Sequence, residues 1–190
     1  MIKFEIFGTK IKISFLFVCF ISWMLLNNKH NITQIYIFSA LFHECSHILA
    51  IMIFSSSIKE IKFEICGVTI KAQKKLSNPK ELIVLASGCF GNFVLLIFFT
   101  ILKLKTAAII NLIILAINIL PHEKLDGGQI LFKILSSVTN SYTSFKIIKA
   151  TTISVTTILA TTSLFAIIYS KNFAFLLTFL FFMLSLFFSA

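Results

Sequence analysis

The chain has 190 residues, of which 58% are hydrophobic and only 13% charged. Because a soluble fold of this length could not bury so much apolar surface, the composition excludes an ordinary soluble protein and predicts an integral membrane protein. The net charge of +10 comes from lysines without any arginine. These lysines fall in short gaps between apolar runs, a pattern that indicates membrane topology and argues against nucleic-acid binding.

The first apolar run, residues 11–26, follows three lysines, Lys3, Lys10 and Lys12. A basic start before an apolar run is also typical of a signal peptide. No small-residue cleavage site follows this run, however. We therefore expect it to form a retained first transmembrane helix.

The second apolar run, residues 33–54, contains His43, Glu44 and His47 in the spacing H-E-x-x-H. Two imidazoles and a carboxylate are costly in hydrocarbon, so their presence there indicates function. On a helix His43 and His47 lie one turn apart on the same face, where both can bind one zinc ion, and Glu44 lies beside the metal as a candidate general base. The motif predicts a zinc metalloprotease with its active site in the membrane.

Residues 58–73 show the alternation of apolar and polar side chains that is typical of strands, with a turn at Gly67. We predict an amphipathic β-hairpin at the inner membrane surface. Two interpretations stay open. The hairpin is either a surface connection between two helices or an edge strand that pairs with an unwound substrate.

Four further apolar runs cover residues 82–102, 106–120, 151–169 and 173–188. Together with the first two they predict an all-α polytopic membrane protein of about six transmembrane helices, forming a single domain over residues 1–190. If the N-terminus lies inside, thirteen lysines fall on the inner side and four on the outer side. Both termini are therefore predicted to be cytoplasmic.

A hydrolytic metal site needs three protein ligands and an open position for water. Only seven residues of the chain are acidic, and Glu123 and Asp126 are the two that follow the fourth apolar run. Pro121 ends or kinks the helix before them, and Gly127 permits tight backbone geometry after Asp126. Alone, this Asp-Gly-Gly segment is typical of an ordinary turn. In a chain with H-E-x-x-H it favours Asp126 as the third ligand.

His122 and Glu123, which lie close to Asp126 in the sequence, remain alternative third ligands. The default interpretation of both residues is a solvated loop. Either one could take the place of Asp126, since imidazole nitrogens and carboxylate oxygens are both ordinary ligands of catalytic zinc.

Taken together, these motifs resemble the site-2 protease family of intramembrane zinc metalloproteases, whose patterns are H-E-x-x-H and N-x-x-P-x-x-x-x-D-G. The second pattern is matched without a gap by Asn118, Pro121, Asp126 and Gly127. Residues 87–92 resemble the family's third-helix signature G-P-x-x-N, with Cys89 in place of proline. The hairpin around Gly67 resembles the segment that the family places after its motif helix.

The resemblance implies one zinc ion per chain, bound by His43, His47 and Asp126, with Glu44 as general base. It further implies that Asn118 and Asn92 orient the substrate or polarise its carbonyl. Pro121 and Gly67 complete the predicted substrate-binding set.

Within the family, the small six-helix form with its motif in the second helix resembles the stage IV sporulation protein FB group. Those proteases release a sigma factor from its membrane-tethered precursor. The C-terminal nucleotide-sensing domain of many members has no counterpart in this sequence. The implied partners are a membrane-tethered protein substrate, the bilayer and an inhibitory membrane protein. The implied location is a bacterial cell membrane.

Two other functions are compatible with the same residues. A catalytically inactive relative would bind zinc or substrate helices as an adaptor, and a membrane metal transporter would use the histidines and Asp126 as a transit site. Intact Glu44 and Asp126 argue against the adaptor. The scarcity of polar residues in the other helices argues against the transporter.

Overall fold

The computed structural model describes residues 1–6, 8–26, 32–55, 57–64, 67–73 and 76–170. The chain divides into two compact units, Met1–Ile119 and Leu120–Ala190. The prediction that residues 1–190 form a single domain stays a prediction.

The described part of the first unit contains a sheet and four helices. Its elements are β1 (Ile2–Ile6), β2 (Thr9–Ile13), α1 (Phe15–Leu26), α2 (Ile32–Ser55), β3 (Ile58–Glu64), β4 (Gly67–Ala72), α3 (Asn78–Ile101) and α4 (Lys105–Ile119). The described part of the second unit contains α5 (Asp126–Val138) and α6 (Ser141–Ser170).

Three of the described helices are long and apolar enough to cross a membrane, over Ile32–Phe54, Asn78–Ile101 and Ser141–Phe165. Helices α1 and α4 are apolar but shorter. The structure therefore agrees with a polytopic membrane protein, whereas the count of six crossings is not confirmed. The sixth apolar run, residues 173–188, lies outside the described residues.

The N-terminal segment differs from the predicted first helix. Residues Thr9–Ile13, part of which was expected to be helical, form β2, and the helix begins only at Phe15. Lysine and isoleucine alternate along β2, so one face is apolar and the other charged. The strand pairs with β1 along one edge and with β3 along the other.

The predicted hairpin is confirmed as β3 and β4, which pair antiparallel, although residues 65–66 lie outside the described part of the chain. It belongs to a four-stranded sheet of order β1-β2-β3-β4, in which β2 and β3 are parallel. Apolar side chains align on one face, as in the row Phe4, Ile11, Ile61 and Ile70. Charged side chains occupy the other face. The sheet is therefore amphipathic across all four strands.

The apolar face of this sheet packs on α2, which carries the H-E-x-x-H motif, and on α3. Ala50 and Ile51 of α2 and Val84 of α3 form a buried cluster, and Ile70 and Ala72 of β4 pack against it. Helices α2, α3 and α4 also pack against one another. Strand β4 is thus seated beside the last turns of α2, which directly follow His47.

Candidate metal centre

Helix α2 places the two histidines of H-E-x-x-H side by side. His43 and His47 are both buried, their rings are nearly perpendicular with centroids 4.8 Å apart, and their Nε2 atoms are 3.2 Å apart. Two nitrogen ligands at about 2.0–2.1 Å from a tetrahedral zinc ion are separated by about 3.3 Å. The observed distance between the Nε2 atoms therefore matches two ligands of one ion.

Hydrogen bonds on the far side of each ring determine where the imidazole protons lie. His43 Nδ1 is 2.6 Å from Asn92 Oδ1, and His47 Nδ1 is 2.8 Å from the Val84 carbonyl oxygen. Both oxygens can only accept, so both Nδ1 atoms donate. In the neutral rings each Nε2 then carries a lone pair rather than a proton.

The two Nε2 atoms lie 3.2 Å apart in a buried site. A cation held between them would be bound by both lone pairs. Metal-binding histidines usually donate their other ring N–H to an acceptor such as a carboxylate or a backbone carbonyl, which fixes the orientation of the ring. The donor chemistry of the pair therefore fits a metal ion.

Asn92 lies in a fully buried polar network that joins α2, α3 and α4. Its Nδ2 donates to Asn111 Oδ1 at 3.0 Å and to the Ser39 carbonyl at 3.3 Å, and Asn111 Nδ2 donates to Ser39 Oγ at 3.0 Å. Asn92, Asn111 and Ser39 are each 0% exposed. The substrate-binding role predicted for Asn92 stays a prediction, whereas its geometry favours orientation of His43.

Gly88 of α3 lies directly against the two imidazoles. A Cβ atom added at this glycine would lie 2.3 Å from His47 Nε2 and 2.6 Å from His43 Cε1. Only a residue without a side chain allows α3 to approach the histidines so closely. The sequence motif included Gly88 but gave no indication of this contact.

In the second unit, the segment after α4 leads into Asp126. Helix α4 ends at Ile119, as Pro121 predicted. The Asp-Gly-Gly segment does not form a turn. Instead Asp126 opens α5 as its first residue, where a carboxylate interacts favourably with the helix dipole. Helix α5 is not among the predicted elements, because its paired glycines and its two serines are typical of loops.

Two contacts within the second unit hold this segment. A Cβ atom added at Gly128 would lie 2.0 Å from the His122 carbonyl oxygen, so the loop passes directly over the start of α5. The Glu123 N–H donates to Thr152 Oγ1 of α6 at 3.0 Å, and Thr152 is 0% exposed. Thr152 was not among the predicted site residues, although its position on a Ser/Thr-rich helix face was a usable signal.

The alternative ligands His122 and Glu123 are placed differently from Asp126. His122 is buried, its Nδ1 accepts a hydrogen bond from the Lys124 N–H at 3.2 Å, and its Nε2 has no hydrogen-bond partner among the described residues. Burial lowers the pKa of this imidazole. Glu123 is half-buried.

His43 and His47 of the first unit and Asp126 of the second unit are all buried. Two imidazoles and one carboxylate are a donor set typical of catalytic zinc. That Asp126, rather than His122 or Glu123, completes the set stays a prediction.

The remaining predicted site residues lie as follows. Glu44 is half-buried on α2, next to His43 in the sequence. Asn118 is half-buried near the end of α4, and its Nδ2 donates to the Ile114 carbonyl within the same helix. Pro121 follows the end of α4, and Gly67 is the first residue of β4, paired with Glu64.

Comparison with known proteins gives two findings. Residues 102–163 match the family model of Peptidase family M50. The fold is similar to that of a solved structure, the site-2 protease from Methanocaldococcus jannaschii, with a TM-score of 0.69 and 24% sequence identity. That similarity covers 95% of this chain and 91% of the other. No curated protein sequence matches the chain significantly.

The fold is similar to that of a site-2 protease, and three described helices are long and apolar enough to cross a membrane. The chain is therefore a polytopic membrane protein with this architecture. The family resemblance in the motifs is confirmed by a second route, because the segment matched to Peptidase family M50 contains Asn118, Pro121, Asp126 and Gly127 but not the H-E-x-x-H residues. Neither match distinguishes the stage IV sporulation protein FB group from the rest of the family.

Proposed function

We propose that this chain is a zinc-dependent intramembrane endopeptidase that cleaves a transmembrane or membrane-tethered protein near the cytoplasmic side. The observation that carries the proposal is the buried His43–His47 pair, whose Nε2 atoms face each other at 3.2 Å while both Nδ1 atoms donate elsewhere. Its occurrence in a chain with site-2 protease architecture supports a peptidase over a structural metal site.

In this proposal His43, His47 and Asp126 hold one zinc ion. When bound, zinc lowers the pKa of a coordinated water to about 7 and polarises a carbonyl group. A donor set of two histidines and one carboxylate leaves a fourth position for water. Asn92 and the Val84 carbonyl keep the two imidazoles in the tautomer that the ion requires.

Glu44 acts as the general base, taking a proton from the attacking water and returning it to the leaving amine. Its half-buried position beside His43 supports this role. Asn118 orients the substrate and donates from its amide to the developing oxyanion, a contact that contributes about 3 kcal/mol in other hydrolases. Pro121 and Gly67 complete the proposed substrate-binding set.

The substrate must be unwound before cleavage, because intrahelical hydrogen bonds shield each carbonyl of a transmembrane helix. Strand β4, seated on α2, is the element that receives the unwound segment. Lysine bias places this strand on the cytoplasmic side. The narrower role in processing a sporulation sigma factor, and control by an inhibitory membrane partner, rest on the motif resemblance alone.

Replacing Glu44 with glutamine separates the candidate functions. New protein N-termini would be mapped in membranes of cells that produce either the wild-type chain or Glu44→Gln, and zinc content would be measured on both purified proteins. We expect the variant to keep zinc and lose the cleavage products. Retained proteolysis would contradict the mechanism. Unaltered zinc flux into vesicles, with no cleavage by the wild type, would instead support a transporter.

A further inference from the structure

The free edge of the sheet is β4, the strand closest to the metal-binding helix. Among the strands that the structure describes, β4 pairs with β3 only. Its apolar residues Ile70 and Ala72 pack against the buried cluster of Ala50, Ile51 and Val84, and the Val84 carbonyl accepts the hydrogen bond of His47. A segment paired with β4 would therefore lie beside a strand that packs directly on the helices around the ligand histidines.

The direction of the backbone groups on β4 follows from one hydrogen bond. The Gln73 N–H donates to the Ser57 carbonyl, on the side of β3, at 3.2 Å. Backbone groups alternate between the two sides of a strand, and the irregularity of this hairpin lies in β3, between Ile58 and Glu60. The N–H and C=O groups of Ile70 and Ala72 consequently point towards the free edge.

The charged face of the sheet carries a row of alternating charges that ends at this edge. Glu5 pairs with Lys10, Lys10 with Glu60, and Glu60 with Lys71. Glu60 already forms an ion pair with Lys12. The hydrogen bond from Lys12, together with the charges of Lys12, Lys62 and Lys71, lowers the pKa of the Glu60 carboxyl. The face around Glu60 is therefore rich in positive charge. Lys71 is exposed and ends the row with a cation.

We propose that Lys71 selects an acidic residue in the substrate segment that pairs with β4. The recognised segment is an extended peptide in which apolar residues continue the face of Ile70 and Ala72, while the residue opposite Lys71 is glutamate or aspartate. This inference rests on the proposed function, since it names the substrate class of the same site. Opposite charges directly across two strands stabilise the pair, and like charges destabilise it.

The test uses the full-length Glu44→Gln protein, loaded with zinc, in phosphatidylcholine nanodiscs. The probes are two fluorescent peptides of alternating valine and threonine, with one central threonine replaced by glutamate in the first and by lysine in the second. We expect the glutamate peptide to bind about two- to fivefold more tightly. Lys71→Glu should reverse this preference.

Lys3→Glu is the matched control, because Lys3 is also exposed and lies on the same charged face, but on the opposite edge strand. It changes the net charge by the same amount and should leave the preference unchanged. Equal effects of the two substitutions, or equal binding of the two peptides to the starting protein, would overturn the proposal.

Strand pairing itself is tested on the peptide, so the fold of the protein is not altered. Two versions of the glutamate peptide would be made, each with N-methyl groups on every second backbone amide. In each version the methyl groups block hydrogen bonding along a different edge of the peptide strand. Pairing with β4 predicts that one of them binds and the other does not, whereas equal binding contradicts it. Zinc is measured on the same samples. Selective binding without zinc would reject the proposed function alone, and zinc without selective binding would reject this inference alone.

Discussion

Gly88 is the residue of α3 that lies against both ligand histidines, so its size limits how closely α3 can pack on them. The His43 and His47 rings that it touches are held by hydrogen bonds to Asn92 and to the Val84 carbonyl. They cannot rotate away without losing those bonds. A methyl group at this position must therefore move either the rings or the helix.

Gly88→Ala is expected to lower zinc affinity by at least about tenfold, the lower range for loss of correct ligand orientation. Zinc affinity would be measured by competition with a chromogenic chelator. Gly91→Ala is the matched control, one helical turn along α3, since its Cβ would meet the Ser46 hydroxyl at 2.2 Å and neither histidine. That hydroxyl can rotate. Zinc bound equally by both variants would contradict the assigned geometry.

Asn92 and Asn111 are both fully buried, but only Asn92 touches a histidine. Asn92→Leu removes the acceptor of the His43 Nδ1–H and should weaken zinc binding by about 10–100-fold. Asn111→Leu also disrupts the buried network, yet it leaves that acceptor in place and should retain zinc much better. Thermal unfolding of both proteins controls for general destabilisation. Equal zinc loss at equal stability would mean that the network is only structural.

At the scale of elements, α6 fixes the segment that leads to Asp126. Thr152 and Thr156 are both 0% exposed and lie one turn apart. Thr152 Oγ1 accepts the Glu123 N–H, whereas Thr156 Oγ1 donates to the Thr152 carbonyl within the helix. Thr152 thus supplies the contact of α6 with the loop before Asp126 that hydrogen bonding shows.

Thr152→Val should leave the half-buried Glu123 N–H without this partner, at a cost of about 1 kcal/mol, the low end of the range for an unsatisfied group. We expect faster hydrogen exchange at the Glu123 amide and weaker zinc binding. Thr156→Val makes the same replacement at a hydroxyl that bonds within α6 and not to the loop. It should change neither the hydrogen exchange of the Glu123 amide nor zinc binding. Unchanged exchange at Glu123 in Thr152→Val would show that other contacts position Asp126.

At the scale of the whole molecule, the sequence predicted those elements whose patterns are long and regular. The bounds of α2, α3 and α4 agree with the predicted apolar runs to within a few residues, and the hairpin follows from its alternation. The strand β2 was missed because lysines before an apolar run also mark a helix end at a membrane. The start of α6 at Ser141 was missed because its first turns are polar.

The arrangement of the site could be predicted from the sequence only for residues that lie on the same helix. Helical spacing alone brings His43 and His47 together, whereas the contact of Gly88 with them depends on how α3 packs on α2. Asparagines in apolar helices were a signal, since buried polar groups in a membrane protein need partners. The sequence could not specify which partners Asn92 and Asn111 would find.

The decisive measurement is the zinc content of the purified wild-type chain and of Asp126→Ala, which needs no known substrate. We expect about one zinc ion per wild-type chain, as for one three-ligand site, and substantial loss in the variant. A wild-type protein that binds no zinc after reconstitution would contradict the proposed metal site. So would equal zinc in both proteins, which would exclude Asp126 as the third ligand.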